Sequence, residues 1–578
     1  MQYYFCWLSL FIMPFFTQAQ AFETPFERNN NYSAAHHEAI AHYQKLQEAY
    51  PEQVQVRAQG LTDAGVPLHT IVLDKDGDFT PEQIKANNKV VIFVNNGIHP
   101  GEPCGVDASM MLIRDYLDGR LDREFLEHVS LVVIPLYNIG GSLNRGSYSR
   151  ANQQGPEYYG FRGNAKNLDL NRDFIKADSR NARSMNRLFN YWKPHIFIDN
   201  HTSNGADYQY SITLIPTQHN KLQPILAKFM NQEMLPYLFD AMEERDWEMT
   251  PYVYARTTPD EGIAGFLDLP RYSSGYAALH NAISFMPETH MLKPFRNRVW
   301  SVYHFMDAMV QFAAANHQTI IDNKVKANQA VREQESFDLN WTLDQSQADT
   351  ILFKGYEAKY KPSQISGQDR LYYDHAAPFE KRIPHFNYYQ SSLSAKKPAA
   401  YVIPQAYREV IERLQWNNVE VKRLQKDTTI EVEYYYIENY ETRRSPYEGH
   451  YLHYNVQVRR DTLRQTFRAG DALVRTNQVS NLYIMSVLEP QAADSYFAWN
   501  FFDGVLMQKE YFSGYVFEDT AYDYLQDHPE LAQELERAKA TDPELAKSAR
   551  AQLNFIYERS PYYEPTYQRY PVGRILKE

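Results

Sequence analysis

The chain has 578 residues and a formal net charge of −12. That is room for two or three domains, and the wrong sign for a nucleic-acid partner, which would need clustered lysine and arginine. Apolar (44%) and charged (22%) fractions are ordinary for a globular chain, and 45 tyrosines argue against global disorder.

The first elements read as follows. Residues 1–16 form a largely apolar stretch too short to span a bilayer, followed by Ala19-Gln20-Ala21, so that 1–21 reads as a signal peptide cut after Ala21. It predicts export, periplasmic or extracellular, although no lysine or arginine precedes the apolar run. No later segment reaches spanning length, so no membrane span is expected in the mature chain. Cleavage removes Cys6 and leaves Cys104 alone, so stability must come from the core rather than from disulfides. Cys104 itself reads as a small buried residue at a helix start.

Apolar spacing predicts a helix over 33–50, strands over 54–59 and 68–75, and a buried strand over 89–94. A helix over 106–117, a strand over 129–136, a helix over 179–192 and a strand over 195–199 follow. Then come a helix over 224–244, a strand over 282–286 and a helix over 298–315. Alternation of strands and helices predicts an α/β fold, a mixed and mostly parallel sheet flanked by helices. Residues 326–395 read as linker and irregular chain. Residues 396–578 read as an accessory region: a strand–helix–strand unit, a β-rich stretch and C-terminal helices. The dense aromatics of 494–502 read as packing.

Three predicted strands end in unusual residues. The first runs into His99-Pro100-Gly101-Glu102, the second into Asn200-His201-Thr202, the third into Pro287-Glu288-Thr289-His290. Open α/β sheets bind ligands beyond the carboxyl ends of their strands, so His99, Glu102, His201 and Glu288 are expected on one rim. Two imidazoles and a carboxylate suit a catalytic Zn²⁺ with one position open. The prolines and glycines around His99 and Glu102 fix a sharp turn in which ligands three apart converge. Asp199 is a further candidate, as a partner to an imidazole. The loop 161–174 supplies Arg162, Asn171 and Arg172; an arginine fork grips a carboxylate, and a second arginine can face an oxyanion.

HPGE, then R-x-N-x-x-x-x-D-L-N-R, then a strand-ending histidine and a strand-ending glutamate resemble the M14 family of zinc carboxypeptidases over roughly residues 33–315. The resemblance implies the zinc carboxypeptidase fold over 22–325 and one Zn²⁺ per chain, held by His99, Glu102 and His201. It also implies Glu288 as general base and Arg162 as oxyanion stabiliser, with Arg150 a weaker alternative. Asn171 and Arg172 would take the free C-terminal carboxylate of a peptide, and Tyr272, or else Tyr276, would match the family's substrate tyrosine. The expected activity is removal of C-terminal residues from peptides. The alternatives are a related zinc amidase or deacylase acting on N-acyl amino acids or peptidoglycan peptides, and a catalytically silent binding module. One departure stands out: the family's turn after the second core strand is replaced by Asn138-Ile139-Gly140-Gly141, which bears on the shape of the pocket.

Overall fold

The computed structural model describes residues 22–255 and 257–577; the predicted signal peptide lies outside them. The chain divides into two units. The first runs to Lys397 and also takes in Glu412–Glu420 and Asn477–Ser486; the second comprises Pro398–Ile411, Val421–Thr476 and Val487–Glu578.

The first unit is built on a nine-stranded mixed sheet. In chain order its strands are β1 (Val54–Leu61), β2 (Pro67–Leu73), β3 (Val90–Asn95), β4 (Val129–Ile134), β5 (Ile196–Asp199), β6 (His201–Ser203), β7 (Ile212–Pro216) and β8 (Met249–Pro251), with the last central strand at Ile283–His290. In space the order is β1-β2-β4-β3-β5, then Ile283–His290, β7 and β8. The pairings β4–β3, β3–β5, β5 with Ile283–His290 and β7–β8 are parallel; β1–β2, β2–β4 and β7 with Ile283–His290 are antiparallel. Strand order reverses at β3, which lies between β4 and β5, and such a switch point opens a crevice at the strands' carboxyl ends.

The strand β3 is Val-Val-Ile-Phe-Val-Asn, buried at every position, as a strand covered by helices on both faces must be. Val90, Ile92 and Val94 join the main core with Val106, Met110 and Ile113 of helix α1 (Cys104–Asp118) and Val302, Met306 and Met309 of helix α2 (Phe295–Ala315). On the opposite face Phe93 packs on Phe189 and Phe197 at centroid distances of 6.2 and 5.8 Å. Helix α1 stops at Gly119, whose φ of 80° is the left-handed cap that glycine adopts without cost.

Two expectations need correction. The strand predicted to stop at Met286 continues to His290, because β6 and β7 pair with its last residues from either side. The segment predicted as linker and irregular is ordered: after a helix at His317–Glu333 come β9 (Ser336–Leu343), β10 (Asp349–Pro362), β11 (Asp369–Phe386) and β12 (Tyr389–Lys396). The long antiparallel pair β10–β11 and the pair β9–β12 carry mostly exposed or half-exposed side chains, so no apolar alternation marks them in the sequence. Phe353 and Ile383 of β10 and β11 enter a small buried cluster with Tyr208, Tyr210 and Ile263, and Ile351 and Phe379 pack against it.

The second unit holds a six-stranded sheet and helices at Gly514–Asp527, Pro529–Thr541, Pro543–Lys547 and Ala549–Tyr557. Tyr496, Phe497 and Trp499 are fully buried, so the dense aromatics are packing residues, as expected. At its centre the buried carboxylate of Glu489 accepts from the hydroxyls of Tyr401 and Tyr435 and pairs with Arg574. No helix among the described residues is long and apolar enough to cross a membrane.

One buried carboxyl ties the N-terminal segment to helix α1. Asp107 accepts from the Ser33 hydroxyl (2.5 Å) and from the Ala34 N–H (3.0 Å). Burial pushes its pKa up from 3.8 to about 7, against the pull of those two donors. The folded chain therefore holds this proton where the unfolded chain has lost it, and stability falls as pH rises from about 4 to about 7, by an amount on the order of a few kcal/mol. Asp107→Asn keeps an acceptor for Ala34 and removes the titration. Between pH 5 and pH 8 the melting temperature of the unmodified protein is expected to drop by several degrees more than that of the variant, read by calorimetry.

Candidate metal centre and active-site cleft

After β3 the chain passes through Gly97, whose φ of +61° and whose contact with Leu136 (3.1 Å from an added Cβ) both require glycine. The turn closes with the Glu102 N–H donating to the His99 carbonyl at 2.8 Å, which sets both side chains on one side. Asn200 interrupts β5 and β6 and lets His201 start the short strand beside Glu288; the two are direct parallel partners.

His99, Glu102 and His201 are all buried, and their ligand atoms lie within 4.8 Å of one another. The Nδ1 atoms of both histidines face the carboxylate, at 3.3 and 3.2 Å. The opposite ring nitrogens are fixed by carboxylates: His99 Nε2 lies 2.9 Å from Asp169, and His201 Nε2 lies 2.9 Å from Asp199. Each carboxylate keeps a proton on Nε2, so Nδ1 is the atom that each ring offers as a ligand. His99 Nδ1 is buried and makes no hydrogen bond. An orphaned lone pair beside a second imidazole and a carboxylate is the donor set that fits Zn²⁺. A second acidic group, Asp74, Asp76 and Asp78, already holds the ammonium of Lys89 at 2.8 to 3.0 Å and carries no such orphan.

The electrostatics follow from the packing. Burial raises the Glu102 carboxyl, but His99 and Arg150 outweigh it and hold its pKa well below the usual range. Burial also opposes a charged His201, yet Asp199 and Glu102 keep its pKa well above 6.5. Glu288 is pushed up to about 8, by burial first and by its neighbour Glu102, with His201 and Arg162 pulling down. A carboxyl in that range can take a proton and return it near neutral pH.

A cleft of about 540 Å³ is lined by these four residues together with Arg150, Arg162, Asn171, Arg172 and Tyr272. The site residues expected from the sequence thus share one cavity. Tyr276, the alternative to Tyr272, does not reach it: it is fully buried, and its hydroxyl bonds Asn190 and Asn417. Arg172 lies over the Tyr272 ring at 4.5 Å. Both candidate arginines sit close to Glu102, but differently. Arg150 is 12% exposed and pinned by Glu102, Thr202 and Gln153, whereas Arg162 is 44% exposed and held from one side by Asp169. Gly101 makes room for Arg150, whose Cδ would lie 2.6 Å from a Cβ there. Asn138, from the turn that departs from the family pattern, donates to the carbonyls of Ile98 and Arg162 and so ties the ligand turn to the arginine loop.

Asp169 is the residue that sequence reasoning missed. It was legible only as part of the Asp-Leu-Asn-Arg motif, and it touches His99, Arg162 and the Asn171 N–H.

A mixed α/β sheet with two histidines, one carboxylate and a half-buried glutamate at its switch point defines a zinc-dependent metallopeptidase. Residues 39–290 match the family model described as Peptidase_M14, zinc carboxypeptidase. It is 22% identical over 440 residues to carboxypeptidase 2 of Trichophyton equinum, covering 71% of this chain and 74% of that protein. With carboxypeptidase 2 of Trichophyton rubrum it shares 21% over 442 residues, with the same coverage. Among solved structures, the carboxypeptidase A of Helicoverpa armigera aligns with a TM-score of 0.39 at 13% identity, over 49% of this chain and 74% of that one.

Proposed function

We propose that this protein is an exported zinc carboxypeptidase that removes single residues from the free C-termini of peptides. The observation that carries the reading is the presence of Arg172, a guanidinium suited to a carboxylate, in the same cleft as the three ligands and Glu288.

His99, Glu102 and His201 would hold the ion through two nitrogens and a carboxylate. Bound zinc supplies Lewis acidity toward a carbonyl and toward water. Glu288 takes the proton of the attacking water and passes it to the leaving amine nitrogen. Arg162 is held through Nε and Nη2 by Asp169, which leaves Nη1, 3.5 Å from Glu102, to donate to the oxygen on which charge develops. Arg172 and Asn171 seat the terminal carboxylate and thereby fix which bond is cut, and Tyr272 stacks on the Arg172 guanidinium.

The test is mass analysis of a mixed peptide library, run beside N-acyl amino acids. Loss of one C-terminal residue at a time is expected, abolished by chelator and restored by zinc. Amidating the C-terminus should lower kcat/KM at least about 100-fold. Release of acyl groups with peptides left intact would instead identify the deacylase alternative.

A further inference from the structure

On the strand Ile283–His290, side chains two apart share a face, so Met286 points to the same side as Glu288. Its antiparallel partner is Ile215, which brings the two side chains together on that face. Contacts link this pair to the carboxylate-binding turn: Asn171 Oδ1 accepts from the Ser273 N–H at 2.9 Å, and the Ser273 hydroxyl donates to Met286 Sδ at 3.6 Å. On the other flank Phe266 meets the Tyr272 ring at 5.1 Å and the Tyr252 ring at 6.4 Å. Met286, Ile215, Phe266 and Tyr252 all line the cleft.

Phe266 is not positioned by the central sheet. It follows Ile263–Ala264, a two-residue strand paired in parallel with β11. The Gly265 N–H donates to the Phe386 carbonyl (2.8 Å), and the Tyr389 hydroxyl donates to the Gly265 carbonyl (2.9 Å). The hairpin layer therefore sets one wall of the cleft. The charged side chains lining the cleft are the ligands, Glu288, Arg150, Arg162 and Arg172. Each already has a task or a partner, and none belongs to this wall.

We propose that the wall of Met286, Ile215, Phe266 and Tyr252 receives the side chain of the residue being released, and that it selects large apolar and aromatic side chains over charged ones. The proposal rests on the carboxypeptidase reading. A residue whose carboxylate is held at Arg172 places its side chain against this wall. An aromatic ring there finds edge-to-face partners and a polarisable sulfur. An ammonium or carboxylate there would give up its hydration for no counter-ion.

The experiment uses the full chain and four peptides identical except for a final Phe, Leu, Lys or Glu. Turnover is measured with the unmodified protein, and binding is measured by calorimetry with Glu288→Gln. The Phe and Leu peptides should exceed the Lys and Glu peptides by roughly 100-fold in kcat/KM, with the same ranking in binding. Met286→Asp should shift the Lys:Phe ratio at least about tenfold toward Lys. Because that position is buried, Phe266→Ala, at a half-buried site, provides an independent arm: KM for the Phe peptide should rise with kcat little changed. Equal turnover of charged and apolar termini, or a ranking that neither variant moves, would overturn the pocket assignment while leaving the carboxypeptidase reading intact. The expected binding ranking without any residue release would overturn that reading and leave the pocket.

Discussion

Replacing Glu288 with glutamine is expected to lower kcat by roughly 10³-fold, within the range that general acid–base groups contribute. Zinc affinity and peptide binding should stay within a few-fold. The expectation of such a clean split comes from how the residue is held. Glu288 lies inside a strand, paired with His201 on one side and Thr213 on the other, so its backbone is fixed whatever the side chain carries. Glutamine has the same shape, and the space it must fill does not change. What is lost is the ability to accept a proton from water and return it to the amine. Glu288→Asp makes the complementary point: it keeps the carboxyl but withdraws it by one methylene, and it should recover part of the lost rate, since proton transfer depends on reach. Steady-state kinetics with zinc in excess, paired with calorimetric peptide binding, reads both quantities. A kcat within tenfold of the unmodified protein would remove Glu288 from the chemistry.

Much of this site was legible in the sequence because a few residues announce both backbone and chemistry. The apolar run before Asn95 ends in a turn so rich in glycine and proline that a histidine and a glutamate three apart had to converge. Chain order then put His201 and Glu288 on the same rim of the sheet. The pairing of those two was not legible, because Pro287 sits between Met286 and Glu288 and a proline inside a strand normally argues for its end. Flanking strands on both sides override that preference here. The hairpins of 336–396 were hidden for a different reason: strands exposed on both faces carry no alternation to read. Nor could local pattern show that the catalytic unit recruits residues from much later in the chain. Asn417 accepts from the Tyr276 hydroxyl and donates to that of Tyr483, and Arg413 donates to the Lys176 carbonyl. These contacts explain why Tyr276 is a structural residue although its sequence context suited it to the cleft as well as Tyr272.

Asp169 was passed over because an aspartate in an Asn- and Gly-rich loop is ordinarily a turn residue, and it is one here too. Its Oδ1 caps the short turn Leu170–Arg172 by accepting from the Asn171 N–H at 2.9 Å. The same oxygen fixes His99 Nε2, and Oδ2 takes Arg162 through Nε at 3.0 Å and Nη2 at 2.8 Å. Burial opposes its charge, but His99, Arg162 and Arg172 outweigh that and hold its pKa far below the usual carboxylate range. One carboxylate thus orients a zinc ligand, the arginine assigned to the oxyanion and the turn that presents Asn171 and Arg172. Asp169→Ala removes all three supports. Zinc affinity should fall by about 10- to 100-fold, the usual cost of losing a ligand's hydrogen-bond partner, and kcat/KM should fall by at least about 10³-fold even at saturating zinc. Asp169→Asn separates the roles. Its carbonyl oxygen can still accept from His99 and from Asn171, whereas its amide presents N–H groups to a guanidinium that has only donors. Zinc affinity in that variant should stay within about tenfold, while kcat/KM drops by roughly 10²-fold, the scale of one lost oxyanion donor. Competition with a chromophoric chelator measures the first quantity and zinc-saturated kinetics the second. If the asparagine variant lost both in equal measure, or neither, Asp169 would not be the hub that its four contacts describe.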